Sequence, residues 1–175
     1  MDKNLTEAII PDGEEFIDDK AFKEREDLTS VIIPDSVTGI GNEAFTNCFK
    51  LANVIIPNSV TEIGDQAFFG CTGLTSVVIP GSVFKIGDIA FSECDSLKDV
   101  TISEGVMEIG ELAFTGCQSL KSVTIPGSIT SIGKNAFHNC YNLTSVEIPK
   151  KLADTEIFKQ LISAGVDVNI IKVVL

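Results

Sequence analysis

A fixed interval of 23 residues repeats along this chain and constrains its fold more than any other feature. A leucine occurs at every step, at Leu5, Leu28, Leu51, Leu74, Leu97, Leu120 and Leu143. The same interval relates Ala-Phe pairs that begin at Ala21, Ala44, Ala67, Ala90, Ala113 and Ala136, and Ile-Gly pairs that end at Gly41, Gly64, Gly87, Gly110 and Gly133. No single unit can bury its apolar residues alone. We therefore predict that the units stack as coils of a solenoid, numbered here from coil 1 at Leu5 to coil 7 at Leu143.

The second unit illustrates how one coil is built. Its opening residues alternate with a period of two, which predicts a short strand with Val31 and Ile33 facing the core and Ile32 facing solvent. Pro34 lacks a backbone donor and ends this strand. Further along the unit, we expect Gly41 to adopt a backbone conformation that is closed to a residue with a Cβ.

Strands of the form Leu-Thr-Ser-Val-x-Ile-Pro, followed by Ile-Gly-x-x-Ala-Phe and a Cys, resemble the BspA-like, Treponema-type leucine-rich repeats. The resemblance covers roughly residues 5–150, and it departs from the pattern at Ser103-Glu104-Gly105, which replaces one Pro-x-Ser corner. It implies a mostly β chain of the α/β solenoid class, a right-handed leucine-rich repeat solenoid of about seven rungs with a C-terminal helix-strand cap. It also implies a cell-surface or secreted protein of bacteria or protists, commonly an adhesin for host matrix proteins or other cells.

We expect one continuous domain, with an N-terminal capping repeat over residues 1–27, repeats over 28–150 and a C-terminal cap over 151–175. In the C-terminal cap, Asp154 is predicted to cap a short helix that ends before Gly165. The apolar face of this helix is formed by Ile157, Phe158, Leu161 and Ile162. Residues 166–175 are then expected to form a closing strand.

The composition argues against several classes of function. Thirteen basic and 25 acidic residues give a net charge of −12, which argues against nucleic acid as a partner, and the short apolar runs argue against membrane insertion. Residues 1–27 carry −6 of this charge, which either keeps an exposed end soluble or attracts a basic partner. The single histidine, His138, has no matched base or nucleophile. We expect neither an enzyme nor a cofactor.

Two columns of potential ligands also follow the repeat. The cysteines occur once in each of coils 2 to 6, at Cys48, Cys71, Cys94, Cys117 and Cys140. One thiol per rung does not make a tetrahedral zinc site, and we expect buried, reduced thiols instead. The second column holds Asp65, Asp88 and Glu111, flanked by Asn42 and Lys134. We interpret these acids as a solvated turn, with a calcium site as the alternative.

The outward strand positions are the candidate binding surface. One row reads Ile9, Ile32, Ile55, Val78, Thr101, Thr124, Glu147, and the row beside it reads Glu7, Ser30, Asn53, Ser76, Asp99, Ser122, Ser145. We predict that Ile9, Ile32, Ile55 and Val78 form apolar anchors for a protein partner, with a polar rim of Ser30, Asn53, Ser76 and Asp99. The alternative is that β-branched residues merely suit strands. Separately, Phe84 and Met107 take a position held by threonine in other units and mark either a lateral contact or local packing.

These observations predict a non-catalytic protein-binding module, expected to be a monomer. An intracellular scaffold is the first alternative, because residues 1–4 have no apolar segment typical of a signal peptide. A fragment of a longer secreted protein explains that equally well. A structural spacer with no ligand of its own is the second alternative.

Overall fold

Each unit of the sequence forms one coil of a solenoid, and each coil contributes short strands that lie parallel to those of its neighbours. The computed structural model describes residues 6–175, so Leu5 lies outside it. The chain is mostly β, with about seven turns and one short helix before a final strand. The fold class predicted from the repeat is confirmed.

The strands have two to five residues each. In chain order they begin with β1 (Glu7–Ile9), β2 (Phe16–Ile17), β3 (Ser30–Ile32), β4 (Gly39–Ile40), β5 (Asn53–Val54), β6 (Glu62–Ile63) and β7 (Ser76–Ile79). They continue with β8 (Lys85–Ile86), β9 (Asp99–Ile102), β10 (Glu108–Ile109), β11 (Ser122–Thr124), β12 (Ser131–Ile132), β13 (Ser145–Pro149) and β14 (Ile171–Val174). The helix α1 spans Glu156–Ser163, and 3-10 helices span Lys150–Leu152 and Val168–Ile170.

Two parallel sheets run along the solenoid. The first strand of each coil belongs to an eight-stranded sheet in the order β1-β3-β5-β7-β9-β11-β13-β14, and the second belongs to a six-stranded sheet in the order β12-β10-β8-β6-β4-β2. The strands pair so that residues 23 positions apart lie opposite each other. Val77 thus lies opposite Val100, and Ile63 lies opposite Ile86. Each position of the repeat therefore forms a column with a spacing of about 4.8 Å in the sheets.

The core consists of such columns. The ladder leucines Leu28, Leu51, Leu74, Leu97 and Leu120 are fully buried, and Leu143 in the last coil is partly buried. The rings of Phe22, Phe45, Phe68, Phe91, Phe114 and Phe137 form a continuous stack, with centroids 5.1 to 5.5 Å apart and planes within 7° of parallel. Because each ring contacts rings in both neighbouring coils, the core extends without interruption along the solenoid.

The glycines that follow isoleucine are required for space, and the expected special backbone conformation at Gly41 is wrong. Gly41 is not among the residues with positive φ. A Cβ at Gly41 would lie 2.7 Å from the carbonyl oxygen of Ile17 in the preceding coil, and one at Gly87 would lie 2.5 Å from the carbonyl group of Gly64. Successive backbones approach so closely at this corner that a side chain does not fit.

The left-handed backbone instead occurs two and six residues after the glycine position. The first set is Lys20, Glu43, Gln66, Ile89, Leu112 and Asn135, with φ of 56 to 62°, and the second is Glu24, Asn47, Gly70, Glu93, Gly116 and Asn139, with φ of 58 to 76°. A β-branched residue such as Ile89 is strained in this conformation. Its amide donates a 2.8 Å hydrogen bond to the carbonyl of Glu111 in the next coil. The contact between coils therefore holds the turn in place.

The C-terminal region departs from the prediction in three details. Thr155, not Asp154, caps α1, because its side chain accepts a hydrogen bond from the amide of Ile157. Ile162 is exposed, and the closing strand is confined to β14. Gly165 follows the helix with φ of 94°, as expected. Across residues 6–175, no helix is long and apolar enough to cross a membrane.

Shortening a ladder leucine should destabilise the whole solenoid. Leu74 is fully buried, and Leu74→Ala would remove its contacts with both neighbouring coils and leave a cavity. We expect a loss of about 2–5 kcal/mol in the free energy of unfolding, measured by urea denaturation. Thr75→Ala, at the adjacent exposed position, is the control. An equal effect of the two substitutions would contradict the assignment of this column to the core.

Gly87→Ala tests why glycine recurs at this position of the repeat. The added methyl group would collide with the backbone of Gly64, so we expect destabilisation of about 1–3 kcal/mol. Ile89→Gly, two residues away, relieves a strained φ of 61° and should change the unfolding free energy by less than about 1 kcal/mol. The reverse order of the two effects in thermal melts would overturn this explanation.

Candidate protein-binding surface

The outer face of the eight-stranded sheet is built by the strand alternation. Along β7, Val77 and Ile79 are buried, whereas Ser76 and Val78 are exposed. The parallel register then aligns the exposed positions of successive coils, for example Ile9 with Ile32. The outward rows recognised in the sequence therefore lie side by side on one face.

The first row is apolar at one end and polar at the other. Ile9, Ile32, Ile55 and Val78 are 69, 61, 81 and 57% exposed. With strand spacing of about 4.8 Å, the four side chains form an apolar stripe roughly 15 Å long. Thr101 and Thr124 continue the row as exposed polar residues. Covering such exposed aliphatic side chains with a partner surface is favourable, because it removes apolar area from water.

The second row borders the stripe with polar groups. Asn53, Ser76 and Asp99 are exposed, and Ser30 is half-buried. The pairing of Ser30 with Asn53 and of Ser76 with Asp99 places them along one edge of the stripe. The face therefore offers an apolar strip beside hydrogen-bonding groups.

The structure adds one basic residue to the first row at its polar end. Lys172 on β14 lies opposite Glu147 on β13 and extends the first row by one strand. Lys98 and Lys121, at the start of coils 5 and 6, are exposed as well. The sequence did not place Lys172 in this row because the segment after residue 150 leaves the 23-residue period.

The acidic column has a structural role that the sequence did not reveal. The side chain of Asn42 accepts a 2.8 Å hydrogen bond from the amide of Asp65, whose carboxylate accepts one of 2.8 Å from the amide of Asp88. Asp88 in turn accepts a 2.9 Å hydrogen bond from the amide of Glu111. In residues 6–175, no group of three or more His, Cys, Asp or Glu side chains is arranged to hold a metal. These side chains therefore link coils, and the geometry gives the calcium alternative no support.

The cysteine column also links successive coils. Each thiol donates a hydrogen bond of 3.1 to 3.3 Å to the carbonyl of the phenylalanine 26 residues earlier. All five thiols are buried and free. The donors are Cys48, Cys71, Cys94, Cys117 and Cys140. A thiol at this position therefore supplies a small apolar side chain and also donates a second hydrogen bond to a carbonyl such as that of Phe45, which already accepts one from the amide of Cys48.

Burial suppresses the reactivity of these thiols. It raises the pKa of Cys48 to about 11 and that of Cys140 to about 12. It also raises the pKa of the three thiols between them, Cys71, Cys94 and Cys117. At neutral pH the thiols are protonated, and the protonated form is a poor nucleophile.

His138 lies near Cys140 without forming a catalytic pair. Both residues line a cavity of about 290 Å³ together with Tyr141 and Asp167. The Cys140 thiol donates its hydrogen bond to the carbonyl of Phe114, and its raised pKa is the opposite of what an activated cysteine requires. The imidazole is exposed at a turn. The arrangement lacks the activated nucleophile of a cysteine hydrolase.

Comparisons with known proteins agree with this architecture. Six copies of a family profile described as the BspA type leucine rich repeat region match residues 1–106 and 69–163. The structure is similar to that of a leucine rich cell surface protein from Faecalibacterium prausnitzii A2-165, with 28% identity and a TM-score of 0.59, over 98% of this chain and 60% of that chain. A comparison with curated proteins found no match.

Two further structures of leucine-rich repeat proteins are similar. One from Bacteroides ovatus shares 26% identity with a TM-score of 0.54, over 99% of this chain and 55% of that chain. One from Treponema pallidum shares 30% identity with a TM-score of 0.53, over 81% of this chain and 58% of that chain. This chain thus spans between 55 and 60% of the length of the three proteins.

Alkylation tests the state of the cysteines. Because all five thiols are buried and free, we expect the folded protein to take up almost no iodoacetamide at pH 8, and the protein in guanidinium chloride to take up five groups per chain. Mass spectrometry of the intact protein measures the uptake. Among the native thiols, Cys140, which is 9% exposed, should react first. Rapid alkylation of Cys94 in the folded protein would contradict its placement in the core.

Proposed function

This chain belongs to the family of BspA-type leucine-rich repeat proteins, and from that premise we propose that it is a non-catalytic protein-binding module that works as an adhesin. Its place of action is the cell surface or the extracellular medium. Its partners are host matrix proteins or surface proteins of other cells. The similarity to a cell surface protein of F. prausnitzii supports this location.

The observation that carries the proposal is the stripe of four exposed aliphatic residues on the eight-stranded sheet. A solenoid needs its inward side chains to stack, but it makes no such demand on the outward ones. Thr101 and Thr124 occupy the same row in coils 5 and 6, so the strands accept a polar β-branched residue there. Strand propensity alone does not require isoleucine at Ile32 and Ile55.

Binding would combine two effects on one face. Ile32, Ile55 and Val78 would enter an apolar region of the partner, and each buried side chain contributes about 1.5–3 kcal/mol before the costs of association. Asn53 and Asp99 would exchange hydrogen bonds at the edge of the contact and set its register. The rigid spacing of the coils already holds these groups in place, so binding costs little conformational entropy.

The charge at the other end of the face adds a preference. Lys98, Lys121 and Lys172 are exposed at the polar end. Asp99 and Glu147 lie among these lysines, so this end of the face offers a partner charges of both signs. The proposal therefore favours a partner with an apolar patch flanked by charged groups of both signs.

A double substitution tests the proposed surface. Ile55→Asp with Val78→Asp places two charges in the centre of the stripe, and we expect binding to immobilised matrix proteins or partner cells to fall at least about tenfold. Surface plasmon resonance and cell-binding assays measure the loss. Ile55→Thr with Val78→Thr, which copies the residues of coils 5 and 6, should weaken binding less without adding charge.

The matched control is Asn58→Asp with Tyr141→Asp, which introduces two charges at exposed turn positions outside both outward rows. It should retain most of the binding, and circular dichroism should show all variants folded. If the stripe variant binds as well as the unmodified chain, the face is wrong. If the folded chain binds none of the matrix proteins or cells, the spacer or intracellular scaffold takes the place of the adhesin.

A further inference from the structure

A second, separate surface lies where the strands of the six-stranded sheet begin, and it is centred on Phe84, the residue before β8. In coils 2, 3 and 6 the equivalent residue is a threonine whose hydroxyl donates to a carbonyl of the preceding coil. These bonds run from Thr38 to Glu15, from Thr61 to Thr38 and from Thr130 to Met107, over 3.0 to 3.1 Å. Phe84 and Met107 have no hydroxyl and lack this side-chain bond, although their amides still donate to the carbonyls of Thr61 and Phe84 over 3.0 Å. Hydrogen bonding between coils therefore does not explain an aromatic and a thioether side chain at this position.

Phe84 stands beside a groove. Its side chain is 52% exposed. The groove has a volume of about 380 Å³ and is lined by Phe84, Thr61, Ile63 and Gly64, among others. Met107 lies next to Phe84 on the following coil and is half-buried. An exposed aromatic ring with a methionine beside it is a favourable contact site for another protein surface.

Charges of alternating sign run parallel to these two residues. The pairing of β6, β8, β10 and β12 aligns Glu62, Lys85, Glu108 and Ser131 in one row. Lys85 and Glu108 are half-buried, and neither forms an ion pair within 4.0 Å of another side chain described in residues 6–175. Both charges are available to a partner.

We propose that this face binds a second copy of the chain in a two-fold symmetric dimer. The symmetry axis lies between the two molecules, runs parallel to the strands and passes between coils 4 and 5. Phe84 then meets Met107 of the second copy, and Lys85 meets Glu108 of the second copy. Each contact occurs twice, as an isologous interface requires. Thr61 and Glu62 face Thr130 and Ser131 of the second copy, where no like charges meet.

The sign pattern selects this arrangement over the other two-fold arrangement of the same faces. An axis parallel to the solenoid would place each coil opposite its own copy. Lys85 would then face Lys85 of the second copy, and Glu108 would face Glu108, which is repulsive in a partly desolvated contact. Only the axis along the strands pairs opposite charges. The face is complementary to itself in that one orientation.

The dimer is expected to be weak and sensitive to salt. The contact spans four coils, from coil 3 to coil 6, or roughly 19 Å, with a narrow apolar centre, which places it at the small end of specific interfaces. The ion pairs lie at its edge and are screened at high ionic strength. This proposal departs from the monomer expected from the sequence, and it is independent of the proposed binding face on the other sheet.

Complementary charge reversal tests the dimer. Sedimentation equilibrium of the full chain, at concentrations up to roughly 1 mM, should give a dimer that dissociates as salt is added. Lys85→Glu and Glu108→Lys should each raise the dimer dissociation constant at least about tenfold, because each places like charges together twice. An equimolar mixture of the two variants should associate again, since every contact then pairs opposite charges.

Two further variants keep the result interpretable. Phe84→Thr, which copies the residue of coils 2, 3 and 6, should preserve the circular dichroism spectrum and weaken the dimer. Ile55→Asp with Val78→Asp, on the other sheet, should leave the dimer intact, so failure of the dimer and failure of the adhesin are distinguishable. A monomer throughout the concentration range, or a mixture that associates no better than the single variants, would overturn the proposal.

Discussion

Register between neighbouring coils is the constraint on which this structure depends. Parallel pairing at 23-residue intervals places each residue against its own counterpart, as with Val77 and Val100. A residue type that stabilises contact with itself is therefore selected at every buried position. Phenylalanine stacks on phenylalanine at 5.1 to 5.5 Å, and each cysteine thiol reaches the carbonyl of the coil before it. The repeat in the sequence is the direct record of this pairing.

Regular buried columns were predictable from the sequence, whereas interactions that depend on local geometry were not. The spacing of Leu74 and its counterparts is sufficient to place them in the core, because alternation and period give their direction. The role of Gly87 was not predictable, because both close packing of two backbones and a left-handed backbone require glycine. The sequence alone does not distinguish these two causes. The hydrogen bond from Asp88 to the Asp65 side chain is likewise invisible in a column of acids.

The candidate surfaces likewise contain some residues that the sequence pattern predicts and others that only the register of the sheets reveals. Sequence alternation is enough to place Ile55 and Val78 outward, and their exposure follows from it. Alternation does not supply the register of β14, because the interval of 25 positions between Glu147 and Lys172 departs from the 23-residue period. The alternation of Glu62, Lys85 and Glu108 likewise becomes a feature only when the sheet aligns them, since residues 23 apart have no local relation in the chain.

Departures from the column rule are the most informative positions in a repeat of this kind. A threonine at the position of Phe84 would supply a hydrogen bond between coils, as Thr61 does at 3.1 Å. An exposed phenylalanine lacks that side-chain bond and leaves about half of its surface in water, so the exposed half contributes nothing to the stability of the folded monomer. The aliphatic residues of the stripe differ, because they replace a tolerated threonine without losing a link between coils. Exposed apolar residues that weaken a column therefore point to a partner more strongly than those that leave it unchanged.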